Sequence, residues 1–293
     1  MKEYLLPIRA IKGRGAASRI AHRFEGVQRN TFDDGWGGDV STDSVTPTIA
    51  TQVFWEDAKS IITHNDSPDI YFDNSLNPYR GCEHGCVYCY ARPTHSFLGL
   101  SPGLDFETKI IAKRNIAAVL RAELAKPSYR PSLIAIGTAT DCYQPVERDL
   151  QLTRAVIELF YETHHPLGLV TKSSGVERDL DLITPMAARN LAAQGIPVGV
   201  SLAPQIPFLN EDMEQVLEAA WDAGARTAFY TVLRLPWELK DVFKEWLEIH
   251  YPLRAARIMA RIHDMRSGKD YDADFATRMK GRGLWAELIR NAF

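Results

Sequence analysis

Three of the four cysteines of this chain fall within eight positions, in the stretch GCEHGCVYCY, at Cys82, Cys86 and Cys89. A structural zinc site is closed by four protein ligands. No second Cys-x2-Cys or His-x3-His pair completes one here, although His84 and His95 lie close by in the sequence. A [4Fe–4S] cluster is held by thiolates, one on each iron. Three thiols would leave one iron open to a substrate or cofactor, which predicts a reactive cluster.

The composition predicts a globular protein with a hydrophobic core. The chain has 293 residues, of which 45% are hydrophobic and 24% charged, and its formal net charge is −3. No apolar run approaches the ~18 residues of a membrane span, and the first residues lack a signal-like apolar stretch. We therefore expect a cytoplasmic protein with no membrane partner. In that compartment, clustered cysteines indicate a metal or catalytic site more often than disulfides.

Basic residues concentrate in two stretches, residues 9–29 and 254–282. The net charge gives no global attraction to nucleic acid. The two stretches are typical either of solvated helix faces or of a patch that follows phosphates. The sequence leaves both interpretations open.

Strand-like and helix-like segments alternate from about residue 70 onward. Apolar runs predict strands near residues 71–79, 108–113, 132–137, 167–172, 197–203 and 226–234. Alternation with helices requires parallel strands joined by crossovers. The candidates are a complete or partial βα barrel and an open doubly wound sheet. Both bind ligands at the carboxyl ends of their strands, where this sequence places several polar clusters.

Three regions follow one another along the chain. Residues 1–68 are rich in polar and small residues and predict an irregular N-terminal extension. Residues 69–250 contain the alternating strands and helices, and residues 251–293 predict a helical segment.

The cysteine motif resembles that of a known superfamily. CEHGCVYC is similar to the CxxxCxφC signature of radical S-adenosylmethionine (SAM) enzymes, with Tyr88 as the aromatic residue. The stretches SLNPYRGCEHGCVYCYARPTH, GTATDCYQPVER, VTKSS, PVGVSLAPQIPFLN and YTVLRLP resemble the branch called DNA-repair-photolyase-like or spore-photoproduct-lyase-like. Further similar stretches lie near both ends of the chain.

This resemblance implies a fold, two cofactors and half of a reaction. The fold would be α/β, a partial βα (TIM-like) barrel of about six parallel strands. A [4Fe–4S] cluster on the three cysteines would bind SAM at its open iron. One electron, from a reductase such as flavodoxin or ferredoxin, would cleave SAM to a 5′-deoxyadenosyl radical that abstracts hydrogen from a substrate.

The resemblance also implies which residues surround SAM. These candidate cofactor contacts are Tyr88, Thr138, Thr140, Asp141, Lys172, Ser173, Ser201, Ala203, Pro204 and Ile206. Tyr88 would approach the adenine, and Asp141 and Lys172 would hold the methionine end of SAM. Each residue also has a plainer interpretation, as a core residue, a helix cap or a surface residue.

Cys142 and Tyr143 are candidate catalytic residues. Related proteins read TDPYQP where this chain reads TDCYQP. Because spore photoproduct lyases use a cysteine as a hydrogen donor, Cys142 invites that role, and Tyr143 could relay a radical. A lone cysteine at a strand end is nevertheless most often a small buried apolar residue.

One βα unit of the related proteins has no counterpart between the fourth strand and PVGVSLA. Either the barrel is shortened, or a segment is missing near residues 189–193, where a jump in space would reveal it.

We therefore expect a radical SAM enzyme whose substrate and overall reaction the sequence does not name. The first alternative is a DNA photoproduct lyase or another nucleic-acid-modifying radical SAM enzyme. The second, from a different class, is a zinc-binding interaction protein.

Overall fold

Three small sheets linked by helices make up the computed structural model, which describes residues 9–26, 48–191 and 199–293. Within these residues the strands are β1 (Gln52–Glu56), β2 (Thr63–His64), β3 (Asn74–Leu76), β4 (Tyr79–Arg80), β5 (Lys109–Lys113), β6 (Ile134–Ile136), β7 (Leu167–Leu169), β8 (Gly199–Gln205) and β9 (Thr227–Val232). The helices are α1 (Leu104–Thr108), α2 (Ile116–Leu124), α3 (Glu147–Leu150), α4 (Leu152–Thr163), α5 (Leu180–Leu191), α6 (Met213–Asp222), α7 (Leu239–His250), α8 (Ala255–Met265) and α9 (Gly283–Ala292). The 3-10 helices Arg92–Leu98 and Ser174–Asp179 follow the cysteine stretch and β7.

The four-stranded sheet has the order β2-β3-β6-β7. β3, β6 and β7 are parallel, and β2 is antiparallel to β3. Helices α2 and α4 lie on the crossovers between the parallel strands, as the alternation predicts. The main hydrophobic core forms between this sheet and these helices, and its fully buried side chains include Leu76, Leu120, Ile136, Val156 and Phe160.

The three-stranded sheet places β5 between β1, which is parallel to it, and β4, which is antiparallel. β1 lies in the region that the composition predicts to be irregular. The predicted strand over residues 71–79 is divided between two sheets. Pro78, which has no N–H to donate to a ladder, lies where the chain leaves β3 and enters β4.

The third sheet consists of the parallel strands β8 and β9, joined through α6. Helix α9 packs against it in a small cluster around Tyr230, Val232 and Met265. Helices α7 and α8 form a separate core with Leu233, Leu235 and Ile206, just beyond the carboxyl ends of both strands.

The predicted partial barrel of about six parallel strands is wrong. Across residues 9–26, 48–191 and 199–293 the strands form mixed sheets of two to four strands, and no barrel closes. β7 and β8 do not pair, and β2 and β4 run antiparallel to their neighbours. Local alternation determines each parallel βαβ pair. It does not determine hydrogen bonding between one pair and the next, which closure of a barrel requires.

The predicted break near residues 189–193 is the other expectation that concerns the barrel. Helix α5 ends at Leu191, and residues 192–198 lie outside the described residues. Residues 189–191 of the predicted break belong to α5, and residues 192 and 193 lie outside the described part of the chain.

Candidate functional site

The cysteine loop, residues 81–90, begins directly after β4 and turns at two glycines. Gly81 has a φ of 83° and Gly85 a φ of 66°, in the left-handed region that favours glycine. A Cβ atom on Gly81 would lie 2.8 Å from the carbonyl oxygen of Phe106. The N–H of Cys82 donates to that same oxygen at 2.9 Å. The backbone of α1 thus positions the first thiol.

The three loop thiols are free, with no disulfide to any cysteine. Cys82 is buried beside Ala91 and Phe106, and the partly buried Cys89 packs against the same group. Burial raises the pKa of Cys82 to about 12 and also raises the pKa of Cys89. Without a metal these two thiols are protonated at neutral pH, so metal binding must release their protons.

A buried ion pair anchors the middle of the loop. Arg92 and Glu107 are both fully buried and pair with each other. Arg92 Nε also donates to the carbonyl of Cys86 at 2.7 Å. The carboxylate of Glu107 accepts from the N–H groups of Gly15 and Ala16 at 2.8 and 2.9 Å. The pair therefore ties the loop to the N-terminal segment.

The segment after β6 is hydrogen-bonded to the beginning of the loop. The hydroxyl of Thr140, which is buried, donates to the carbonyl of Gly81 at 2.6 Å. Gln144 donates from Nε2 to that hydroxyl at 3.0 Å and accepts from the N–H of Glu83 at 3.0 Å. Thr140, a predicted cofactor contact, thus supports the loop backbone.

Lys172, which follows β7, reaches into the cysteine loop. Its Nζ lies 3.3 Å from Cys86 Sγ and 2.8 Å from the hydroxyl oxygen of Tyr88. The same ammonium lies 4.5 Å from the centroid of the Tyr88 ring. Burial lowers the pKa of Lys172, but Cys86 and Tyr88 more than compensate and the pKa is raised overall. Two predicted cofactor contacts, Tyr88 and Lys172, therefore lie together beside a loop cysteine.

Asp141 positions the segment that carries Lys172. It accepts from the hydroxyl of Thr171 at 2.7 Å and from the N–H groups of Lys172 and Tyr143 at 2.8 and 2.9 Å. The Nε2 of His84 lies 3.4 Å from its carboxylate. Burial raises the pKa of Asp141, but the hydrogen bonds from His84 and the β7 segment hold it below its usual value.

Thr138 and Ser173 are held by hydrogen bonds of their own. The hydroxyl of Thr138 accepts from Asn77 Nδ2 at 3.3 Å, and its carbonyl accepts from the hydroxyl of Tyr90. Ser173 Oγ accepts from the N–H of Gly175 at 3.1 Å and so caps the 3-10 helix that follows. The helix-cap interpretation describes Ser173 in this arrangement.

Strand β8 approaches the loop at its carboxyl end. Ile206 is buried in the same hydrophobic cluster as Val87, and Tyr88 packs against that cluster. Ala203 and Pro204 are partly buried on the same strand. Of the three predicted cofactor contacts Ala203, Pro204 and Ile206, Ile206 is the one that shares this cluster with the loop.

Three predicted site residues lie elsewhere. Ser201 is exposed on β8. Cys142 is fully buried in the main core, its Sγ lies 3.8 Å from the carbonyl oxygen of Val170, and burial raises its pKa. Tyr143 is also buried there, and its hydroxyl donates to Asp179 at 3.0 Å. The arrangement matches the interpretation of Cys142 as a small core residue.

Four residues that shape the site were not predicted: Arg92, Glu107, Gln144 and Arg234. Arg234 lies two residues after the end of β9, so a charged residue shortly after an apolar strand was the available signal. Gln144 lies in the loop after β6, which gave the same signal. The buried pair left no signal, because Arg and Glu are almost never fully buried unless paired and the sequence does not show the pairing.

The loop offers three free thiols as candidate metal ligands. Within the described residues, no group of three or more His, Cys, Asp or Glu side chains is placed to hold one metal ion. A cubane cluster binds each thiolate at a different iron, so its ligands need not converge on one point. His84 faces Asp141, and His95 bonds the carbonyl of Lys109 at 3.0 Å through Nε2. Three free thiols and an adjacent ammonium therefore fit the [4Fe–4S] cluster that the motif implies.

Some arginines of the two basic stretches form ion pairs where the structure describes them. Their described pairs are Arg19–Asp105, Arg23–Glu238, Arg261–Asp264, Arg278–Asp69 and Arg282–Asp274. The guanidiniums of Arg19 and Arg282 are more than half exposed, so their ion pairs are weak ones. Arg29 of the first stretch lies outside the described residues.

Relatives exist, but their functions are not described. The chain is 42% identical over 165 residues to an uncharacterized protein of Mycobacterium tuberculosis, covering 56% of this chain and 46% of the relative. It is 27% identical over 139 residues to an uncharacterized protein of Methanocaldococcus jannaschii, covering 47% and 48%. The chain thus spans about half the length of these curated relatives. No family model and no solved structure matches it.

The described helices include none that is both long enough and apolar enough to span a bilayer.

Proposed function

We propose that this chain is a radical SAM enzyme that carries a [4Fe–4S] cluster on Cys82, Cys86 and Cys89. The observation that carries the proposal is the Cys-x3-Cys-x2-Cys loop, whose three thiols are free and whose central thiol contacts Lys172. When bound, the cluster supplies the electron that cleaves SAM into methionine and a 5′-deoxyadenosyl radical.

The residues around the loop bind and orient SAM. Lys172 provides a fixed positive charge for the SAM carboxylate. The hydroxyl of Tyr88 orients the ammonium group of Lys172. Asp141 holds the backbone of Lys172 in place. Tyr88 and Ile206 form an apolar wall that receives the adenine and excludes water from the radical.

A protein electron donor such as flavodoxin or ferredoxin is part of this proposal, because the cluster must itself be reduced before it can give an electron to SAM. The nucleic-acid-modifying alternative rests on the two basic stretches alone, and five arginines of these stretches are held in ion pairs. The zinc-binding alternative makes a different prediction for metal content.

Metal content after anaerobic reconstitution with iron and sulfide separates these functions. We expect a brown protein with about four irons and four sulfides per chain. The expected electron paramagnetic resonance signal of the reduced cluster changes when SAM is added. Cys82→Ser, Cys86→Ser and Cys89→Ser should each lose the cluster, whereas the control Cys142→Ala should keep it, since Cys142 is buried in the main core. A colourless protein that binds one zinc would contradict the proposal.

A further inference from the structure

A second cation, Arg234, lies beside the cysteine loop. It stacks on Tyr90, the second tyrosine of the sequence CVYCY. The guanidinium carbon of Arg234 lies 5.0 Å from the centroid of the Tyr90 ring. Lys172 stacks on Tyr88 in a similar way, at 4.5 Å. The two tyrosines flank Cys89 in the sequence, and each of them has a cation stacked on its ring.

Arg234 has no oxygen acceptor within the described residues. Its side chain makes no hydrogen bond or ion pair there, although it is only partly exposed. Burial lowers the pKa of Arg234, and the neighbouring Arg278 lowers it further. A guanidinium presents five N–H donors in a fixed fork. Those of Arg234 are not among the buried unpaired atoms of the described residues, so they are open to a ligand from solvent.

A carboxylate that acts electrostatically on Arg234, Asp69, is already engaged by another arginine. Asp69 accepts two hydrogen bonds from Arg278, both at 2.5 Å. A third arginine, Arg266, is 1% exposed, and it donates to the carbonyls of Leu233 and Thr277 at 2.7 and 3.1 Å. Its Nε has no partner in the described residues. Among the described residues, the three arginines Arg234, Arg266 and Arg278 therefore meet two carboxylates here, Asp69 and Asp272.

We propose that Arg234 binds an oxyanion, a phosphate or carboxylate group, that the substrate carries into the site. A planar guanidinium recognises either group through two parallel N–H···O bonds. Such an anion at Arg234 would hold the substrate next to Tyr90 and the cysteine loop. The assignment of the anion to the substrate rests on the proposed function, but the anion site itself does not.

Direct anion binding tests the proposal on the full-length protein as purified, before any iron is added. Inorganic phosphate is titrated by calorimetry at constant ionic strength set with sodium chloride. Saturable binding is expected, with a dissociation constant about tenfold or more weaker in Arg234→Gln, as a charge-assisted hydrogen bond implies. Arg234→Lys keeps the charge but loses the forked pair of donors, so its phosphate dissociation constant is expected to lie between those of the unaltered protein and Arg234→Gln. Measuring this second variant also distinguishes loss of the anion contact from a folding defect in Arg234→Gln.

Arg226→Gln is the matched control. Arg226 also stacks on an aromatic ring, at 4.3 Å from that of Trp221, but it donates to backbone carbonyls. Its substitution should leave phosphate binding unchanged. Acetate and a short single-stranded thymidine oligonucleotide are titrated in parallel, and the tightest ligand that depends on Arg234 identifies the source of the oxyanion.

Two results would overturn the anion site. One is the absence of saturable binding of phosphate, acetate and oligonucleotide to the unaltered protein. The other is anion binding that does not depend specifically on Arg234. Equal affinity in the unaltered protein and Arg234→Gln would show this, and so would equal weakening in Arg226→Gln and Arg234→Gln. Arg234-dependent binding in a protein that never assembles an iron–sulfur cluster would leave the anion site standing and refute the proposed function.

Discussion

The ammonium of Lys172 lies 3.3 Å from Cys86 Sγ although 86 residues separate the two along the chain. The contact joins the segment after β7 to the loop after β4. The hydroxyl of Tyr88, 2.8 Å from the same ammonium, completes the group. A cation held at a thiol by an aromatic residue is a suitable place for the carboxylate of an amino-acid cofactor, and this relationship leads to the first two predictions.

Replacing Lys172 by Met should weaken SAM binding. The methionine keeps the apolar stem but removes the charge, and a hydrogen bond to a charged group is worth about ten- to hundredfold in affinity. Equilibrium binding of SAM to the reconstituted protein measures the effect. The exposed Lys59 provides the control, Lys59→Met, with no change expected. Equal affinity in Lys172→Met and the unaltered protein would show that the ammonium does not meet SAM.

Replacing Tyr88 by Phe should weaken SAM binding less, by about fivefold. The ring and its cation–π contact with Lys172 remain, and only the hydroxyl hydrogen bond is lost. Because the hydroxyl acts by orienting Lys172, the double variant should lose little more than Lys172→Met alone. Strictly additive losses would mean that Tyr88 and Lys172 act independently.

Breaking the buried pair should destabilise the whole protein. Arg92→Met leaves Glu107 as an uncompensated buried charge, which costs about 3–5 kcal/mol in the free energy of unfolding. Urea unfolding, followed by circular dichroism, measures the loss. The matched control is Asp57→Asn, because the pair Arg114–Asp57 has side chains 56% and 62% exposed and contributes about 1 kcal/mol or less. Similar losses in the two variants would contradict this account of the loop anchor.

Protonation of His95 should contribute to acid destabilisation. Burial lowers the pKa of His95 from 6.5 to about 4, so the folded state holds this side chain neutral. Its contribution to stability is complete above pH 6.5 and is lost as the pH falls towards 4, by about 3 kcal/mol in total. Urea unfolding of His95→Gln and the unaltered protein is compared between pH 7 and 5. The difference in unfolding free energy should change in favour of the variant as the pH falls, and a constant difference would refute the prediction.

The cysteine loop and its neighbours were predictable because they follow local rules. Glycines on either side of a cysteine, thiols at short spacing and polar residues after apolar runs are all visible in the sequence. The resemblance to radical SAM enzymes implied Tyr88 and Lys172 as cofactor contacts, and the structure brings these two residues together. The parallel pairs β3–β6, β6–β7 and β8–β9 likewise follow from the alternation of strands and helices.

The arrangement of the sheets was not predictable from such local rules. Whether β7 pairs with β8 depends on lateral hydrogen bonds between units that are distant in sequence, and those bonds are absent between these two strands. Pro78 divides one predicted strand between two sheets. The pairing of Arg92 with Glu107 depends on the folded arrangement alone, since nothing in the sequence around either residue indicates its partner.

Formation of 5′-deoxyadenosine tests the central claim most directly. The reconstituted protein is reduced with dithionite under anaerobic conditions, SAM is added, and the nucleoside is measured by liquid chromatography. The account predicts 5′-deoxyadenosine and methionine from the unaltered protein and neither from Cys86→Ala. A protein that holds the cluster but forms no 5′-deoxyadenosine, or a Cys86→Ala variant that forms it equally well, would contradict the account.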